Sequence, residues 1–289
     1  MYKTIFAKLL PGIFLLAATQ GHAQAAGEAI GNPINDCNTS QGECPTTPTK
    51  FSTTVYRIAL CNVSPMESPA TTVDWDGAGC KDVYNNSSGE TTGDIFSASG
   101  VNLSAAFTSV PPAGSYNKVV ALVSNSFKMA THHEVVAAGS NNSVNSTRYV
   151  STASGGAVAG ASGTEQMYTV TVDSFASQLA CNGAYVTPNS WSDTGIAGNG
   201  FVGRLLNSNM TMPTTGSGLI GNNTATCDDV SYIFVIVDKP VTVSEDALGI
   251  DLKIRATKGT AKVNQGSGNG VVTGFSGAGH AFTYDVSTF

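Results

Sequence analysis

The stretch Ser231-Tyr-Ile-Phe-Val-Ile-Val-Asp-Lys-Pro-Val-Thr-Val-Ser-Glu-Asp-Ala-Leu-Gly-Ile-Asp-Leu-Lys-Ile-Arg-Ala-Thr-Lys258 decides the fold class. Its first half holds Tyr232-Ile-Phe-Val-Ile-Val237, an unbroken β-branched and aromatic run closed by Asp238-Lys239-Pro240, which predicts a short strand buried on both faces. Its second half alternates: Leu248, Ile250, Leu252 and Ile254 share one face, and Asp251, Lys253 and Arg255 take the other. That period of two predicts a strand with one wet face. A doubly buried strand followed by a half-buried one implies layered sheets. The expected class is all-β, an antiparallel β-sandwich built as one large or two smaller sandwiches.

Working outward, period-two patterns or strand-forming runs predict further strands at residues 51–61, where Tyr56, Ile58 and Leu60 share a face, and at 81–84, 94–98, 101–107, 116–124 and 127–137. Beyond these, 166–173, 261–264, 270–275 and 281–286 read the same way, and 201–206 reads as a short strand or helical turn. Residues 138–165 are Gly, Ser, Asn and Ala with little else, in composition a loop or linker. A boundary placed there separates a β-sandwich module at 51–137 from a second β-sheet region or module at 166–289. Residues 182–226 form a long Gly- and Asn-rich loop region. No amphipathic helix of three turns is evident.

The chain of 289 residues opens with Lys3 and Lys8 around a brief apolar segment and continues into Gln20-Gly-His-Ala-Gln-Ala25. This reads as a secretory leader over residues 1–23. No later segment approaches the roughly 18 apolar residues of a membrane helix, so no membrane insertion is expected. Residues 24–50 lack periodicity and read as an extended arm. Only 12% of residues are charged and the net charge is −6, which leaves no basic footprint for nucleic acid or anionic lipid. Aromatic content of 8%, together with clear strand patterns, argues against disorder.

Six cysteines in an exported chain read as disulfides. The residues alone leave connectivity open; neighbour order suggests Cys37 with Cys44, Cys61 with Cys80, and Cys181 with Cys227. A metal reading fails for want of any Cys-x-x-Cys pair.

The turn Pro112-Ala-Gly-Ser-Tyr116 followed by Asn117-Lys-Val-Val-Ala-Leu-Val123, downstream of Val55-Tyr-Arg-Ile-Ala-Leu-Cys61, resembles the strand entry of transthyretin-like and immunoglobulin-like sandwich domains in secreted bacterial surface proteins. The resemblance covers residues 51–137. It implies a surface, adhesive or assembly role without catalysis.

Other motifs carry little chemistry. Gly198-Asn-Gly-Phe-Val-Gly203 has the letters of a dinucleotide fingerprint but neither the preceding strand nor the following helix that the motif requires. In Thr131-His-His-Glu134, adjacent side chains on a strand point apart, so only His132 and Glu134 could share an ion. Asp74-Trp-Asp-Gly77 suggests a calcium loop without its distal ligands. No Gly-x-Ser-x-Gly elbow occurs, and no catalytic residue, cofactor site or metal site is assigned. Trp75 and Trp191 are the ligand-stacking candidates, each with a core-anchor alternative. The expectation is a non-enzymatic, exported structural subunit of the cell surface that assembles with copies of itself into a filament or matrix. The alternative is a monomeric adhesin or carbohydrate-binding module whose partners are extracellular glycans.

Overall fold

The structure is a computed structural model and describes residues 43–46, 48–67, 70–96, 103–104, 106, 108–136, 146–172, 184–187, 201–213, 229–247, 250–256, 261–265, 272–277 and 282–288. No α-helix occurs among them. The described strands are β1 Glu43–Thr46, β2 Lys50–Cys61, β3 Lys81–Thr91, β4 Gly114–Ala130, β5 His132–Val136, β6 Ser146–Ser151, β7 Ala157–Ala159 and β8 Tyr168–Thr171. They continue as β9 Ala184–Thr187, β10 Phe201–Asn207, β11 Val230–Val243, β12 Ile250–Ala256, β13 Ala261–Gln265, β14 Val272–Gly277 and β15 Phe282–Thr288. Their pairings are antiparallel.

The opening stretch supplies β11, inside a sheet ordered β3-β2-β4-β11-β10-β9 with β8 pairing β4. Its apolar run has no wet face because both faces meet a core. Ile233, Val235 and Val237 join Val119, Ala121, Val123 and Leu205 on one side; Phe234 and Ile236 join Val120, Leu122 and Leu206 on the other. Fully burying each such side chain contributes about 1.5–3 kcal/mol, which fixes this strand inside the sheet.

The first face shares its core with a second sheet, β1-β13-β14, through Ala261, Val263, Val272 and Phe275. A third sheet, β5-β6-β7, joins β14 through a bridge between Gly156 and Gly274 and a hydrogen bond from Phe275 N to Gly155 O at 2.7 Å. β12 and β15 pair with each other over Ile250↔Thr288 to Ala256↔Phe282.

Several expectations are corrected. Pro240 does not end its strand: β11 runs on to Val243 with a register shift between Asp238 and Val241. A residue without a backbone donor is tolerated at such an irregularity. The runs at 116–124 and 127–130 are one strand, β4, which pairs β11 along its first part and β8 along its last. The described residues of 94–98 and 101–107 are not strands. Asp94 Oδ1 accepts from the backbone N of both Phe51 (3.1 Å) and Phe96 (3.0 Å), so the side chain organises a turn there instead of a ladder. Residues 201–206 belong to a strand and not to a helical turn. The composition of a linker at 138–165 hides β6 and β7. The central sheet takes β2, β3 and β4 from before that segment and β8 to β11 from after it. Residues 1–42, which hold the expected leader and most of the arm, lie outside the described residues, as do Cys37, Cys181, Cys227 and Trp191.

Candidate functional site

The second face of the central sheet carries the most chemistry. Cα partners lay Asn85, Arg57, Leu122, Phe234, Arg204 and Ala184 in one row across β3, β2, β4, β11, β10 and β9. Over this face lies the segment between Cys61 and Cys80, which form a disulfide. Met66, Val73 and Ala78 of that segment are buried in the same core as Phe234 and Ile236.

The cover is held at several points. Cys80 N donates to Trp75 O at 3.0 Å, Asp74 N to Pro65 O at 2.8 Å, and Asn62 N to Ala78 O at 3.1 Å. Its middle pairs with the turn after β10: Val73 N donates to Met210 O at 3.3 Å and Met212 N to Thr71 O at 2.8 Å. Met210 has φ of 59°, in the left-handed region that costs a side-chain-bearing residue about 1–2 kcal/mol. The surrounding bonds hold it there: Asn207 O accepts from Met210 N at 3.1 Å, and Asn207 Oδ1 accepts from Asn209 N at 2.9 Å and Thr211 N at 3.1 Å.

Trp75 is half-buried against the sheet. Its ring stands edge-on to Phe234 at 5.5 Å between centroids, and the Arg57 guanidinium carbon lies 3.9 Å from its centroid. Arg57 Nε donates to Asp82 Oδ1 at 2.6 Å. Tyr56 meets Tyr232 edge-on at 4.9 Å; burial and the neighbouring Tyr232 both raise the Tyr56 phenol pKa. The Asp74 carboxylate that suggested a calcium loop is exposed and caps its own turn, with Oδ1 accepting from Gly77 N at 2.8 Å. A Cβ on Gly77 would stand 2.2 Å from Asp74 Oδ2, so a larger residue there would displace this carboxylate from its cap.

A second cluster surrounds β5. His132 Nδ1 lies 3.0 Å from Glu165 Oε1, and Glu134 pairs with Arg148 across the β5–β6 ladder. The two side chains that could have shared an ion are thus engaged with separate partners. Burial raises the Glu165 carboxyl, but its own backbone N–H, that of Gly163 and then His132 outweigh it, so its pKa lies below the ordinary value. His133 lies opposite Tyr149 in the ladder, and its buried Nε2 has no hydrogen-bond partner. Burial, reinforced by His132 and opposed by Glu134, lowers its pKa to about 4. Among the described residues no group of three or more His, Cys, Asp or Glu side chains could hold a metal ion.

The remaining sites divide simply. Phe201, Val202 and Gly203 of the glycine motif begin β10, where the chain continues as strand to Asn207. Cys44 lies in β1 opposite Val263. The residue overlooked in the sequence is Arg204. Period two puts it on one face with Val202 and Leu206, and an arginine in an apolar row was the readable signal. Comparisons with protein-family models, with curated proteins and with solved structures find no match.

Proposed function

We propose that the protein is an exported, non-enzymatic structural subunit that assembles with copies of itself at the cell surface, as a filament or matrix. The observation that carries this reading is the state of the sheet ends. β15 has β12 along one edge and no strand on its other edge among the described residues; β9 ends the central sheet in the same way. Such edges present unpaired N–H and C=O groups, and natural chains blunt them with charge, proline or covering segments unless pairing is intended. β9, with the sequence Ala-Tyr-Val-Thr, carries neither charge nor proline.

The end of the central sheet opposite β9 is guarded, which supports directional assembly. β3 is flanked by a bridge from Tyr84 to Thr108, by Ser109 N donating to Val83 O at 2.9 Å, and by Ser109 Oγ donating to Asp82 O at 2.6 Å. One open and one guarded end suit head-to-tail addition, which gives filaments when it does not close. The arm over residues 24–36 is the proposed donor and the free edge of β15 its receiver. The Cys61–Cys80 disulfide supports export, because such bonds persist in oxidising compartments. Electron microscopy of the purified mature protein tests the reading: filaments or sheets are expected, and a uniform field of monomers at high concentration would favour the glycan-binding alternative.

A further inference from the structure

Arg204 is 7% exposed. Its Nε is buried without a hydrogen-bond partner, and no described residue forms an ion pair with it. Its row neighbour in β11 is Phe234, and its neighbours on the same face of β10 are Val202 and Leu206. Burial pulls its pKa below the ordinary arginine value, but a guanidinium stays charged in proteins. A cation in such surroundings is unfavourable unless an anion accompanies it.

Four described carboxylates near this face and its cover have other partners. Asp82 serves Arg57 through Oδ1 and Asn85 through Oδ2, Asp74 caps Gly77, Asp238 pairs with Lys118, and Asp229 lies 3.5 Å from the Asn207 amide. Arg57, three strands away in the same row, shows what a satisfied guanidinium on this face looks like: a carboxylate at its edge and an aromatic ring beneath it. Arg204 has the apolar and aromatic surroundings with no carboxylate paired to it among the described residues.

We propose that Arg204 is an anion-binding site whose guanidinium takes a carboxylate or a comparable planar oxyanion, supplied either by a small acid in solution or by an acidic side chain of a second copy of this chain. The planar fork of arginine matches two oxygens of one such group, which lysine cannot do.

Thermal unfolding of the disulfide-intact mature protein tests this, with wild type, Arg204→Met and Arg204→Lys compared in sodium acetate and in sodium chloride at equal ionic strength. A free anion that binds the folded state alone raises Tm progressively with its concentration. The expected result is an acetate-dependent rise in wild type, a weaker one in Arg204→Lys, and none in Arg204→Met, which melts above wild type in dilute chloride. If a second copy supplies the carboxylate, the Tm of wild type rises with protein concentration in chloride and that of Arg204→Met does not. Wild type and Arg204→Met responding alike to both acetate and protein concentration would overturn the assignment. So would an Arg204→Met chain that fails to fold while Arg204→Lys shows no acetate response.

Discussion

The guanidinium of Arg57 lies 3.9 Å from the centroid of the Trp75 ring while its Nε bonds Asp82 at 2.6 Å. The contact ties the disulfide-closed cover to β2 and β3 and sets Arg57 against one face of the Trp75 ring. Replacing Trp75 with Ala is expected to cost about 2–4 kcal/mol, toward the lower part of the range for a large aromatic because the ring is only partly buried. Arg57→Ala should cost about 1 kcal/mol, as a partly exposed ion pair with a cation–π contact. Urea unfolding measures both, and equal costs would mean that the ring contributes little packing of its own.

Opening the Cys61–Cys80 bridge frees the segment over Phe234 and Ile236. The Cys61→Ser/Cys80→Ser double variant should lose about 3 kcal/mol, the chain-entropy estimate for a loop of this length. The urea midpoint should fall without a large change in slope. A midpoint within error of wild type would show that the hydrogen bonds and core contacts of the cover hold it without the bridge.

The outer sheets meet through glycines. A Cβ on Gly274 would lie 3.0 Å from Gly155 O, and Gly155 itself has φ of +81° with a Cβ position 3.2 Å from Phe275 O. Gly155→Ala is therefore expected to destabilise by about 1–3 kcal/mol through backbone strain. Hydrogen exchange should show faster opening at the Phe275 amide. An unchanged rate there would contradict the bridge.

His133 predicts an acid-sensitive segment. Its folded pKa of about 4 lies below the ordinary 6.5, so the folded state favours the neutral ring. The stability contribution is complete above pH ~6.5 and is lost as pH falls toward ~4, because the unfolded chain takes up the proton first; the loss is at most about 3 kcal/mol. The groups facing this segment are His132 and Glu134 beside His133, Arg148 on β6 and Glu165 on the following loop. His133→Phe should flatten the slope of stability between pH 6.5 and 4. An unchanged slope would place the acid sensitivity elsewhere.

What could be read from residues alone follows from physical visibility. The run at 232–237 is legible because a strand buried on both faces has no polar position to blur it. Cys61 and Cys80 were pairable by order because only one loop separates them. The strand Ser146–Ser151, Ser-Thr-Arg-Tyr-Val-Ser, was hidden: it carries one buried aliphatic, Val150, and its partners are set by the β5 register. Residues 94–107 misled in the opposite direction. Among the described ones, Ile95 is buried in the core from a turn while Asp94 holds the backbone of Phe51 and Phe96. Of the candidate site, Trp75 was legible as an aromatic of interest, whereas its pairing with Arg57 and the burial of Arg204 depend on strand register, which no local pattern encodes.

The central claim, self-assembly through an N-terminal arm, is tested most directly by sedimentation velocity on two chains, one beginning at residue 24 and one at residue 37, across a wide concentration range. The account predicts polymers from the longer chain and a folded monomer from the shorter. A longer chain that stays monomeric at high concentration, or a shorter one that polymerises equally well, would contradict it.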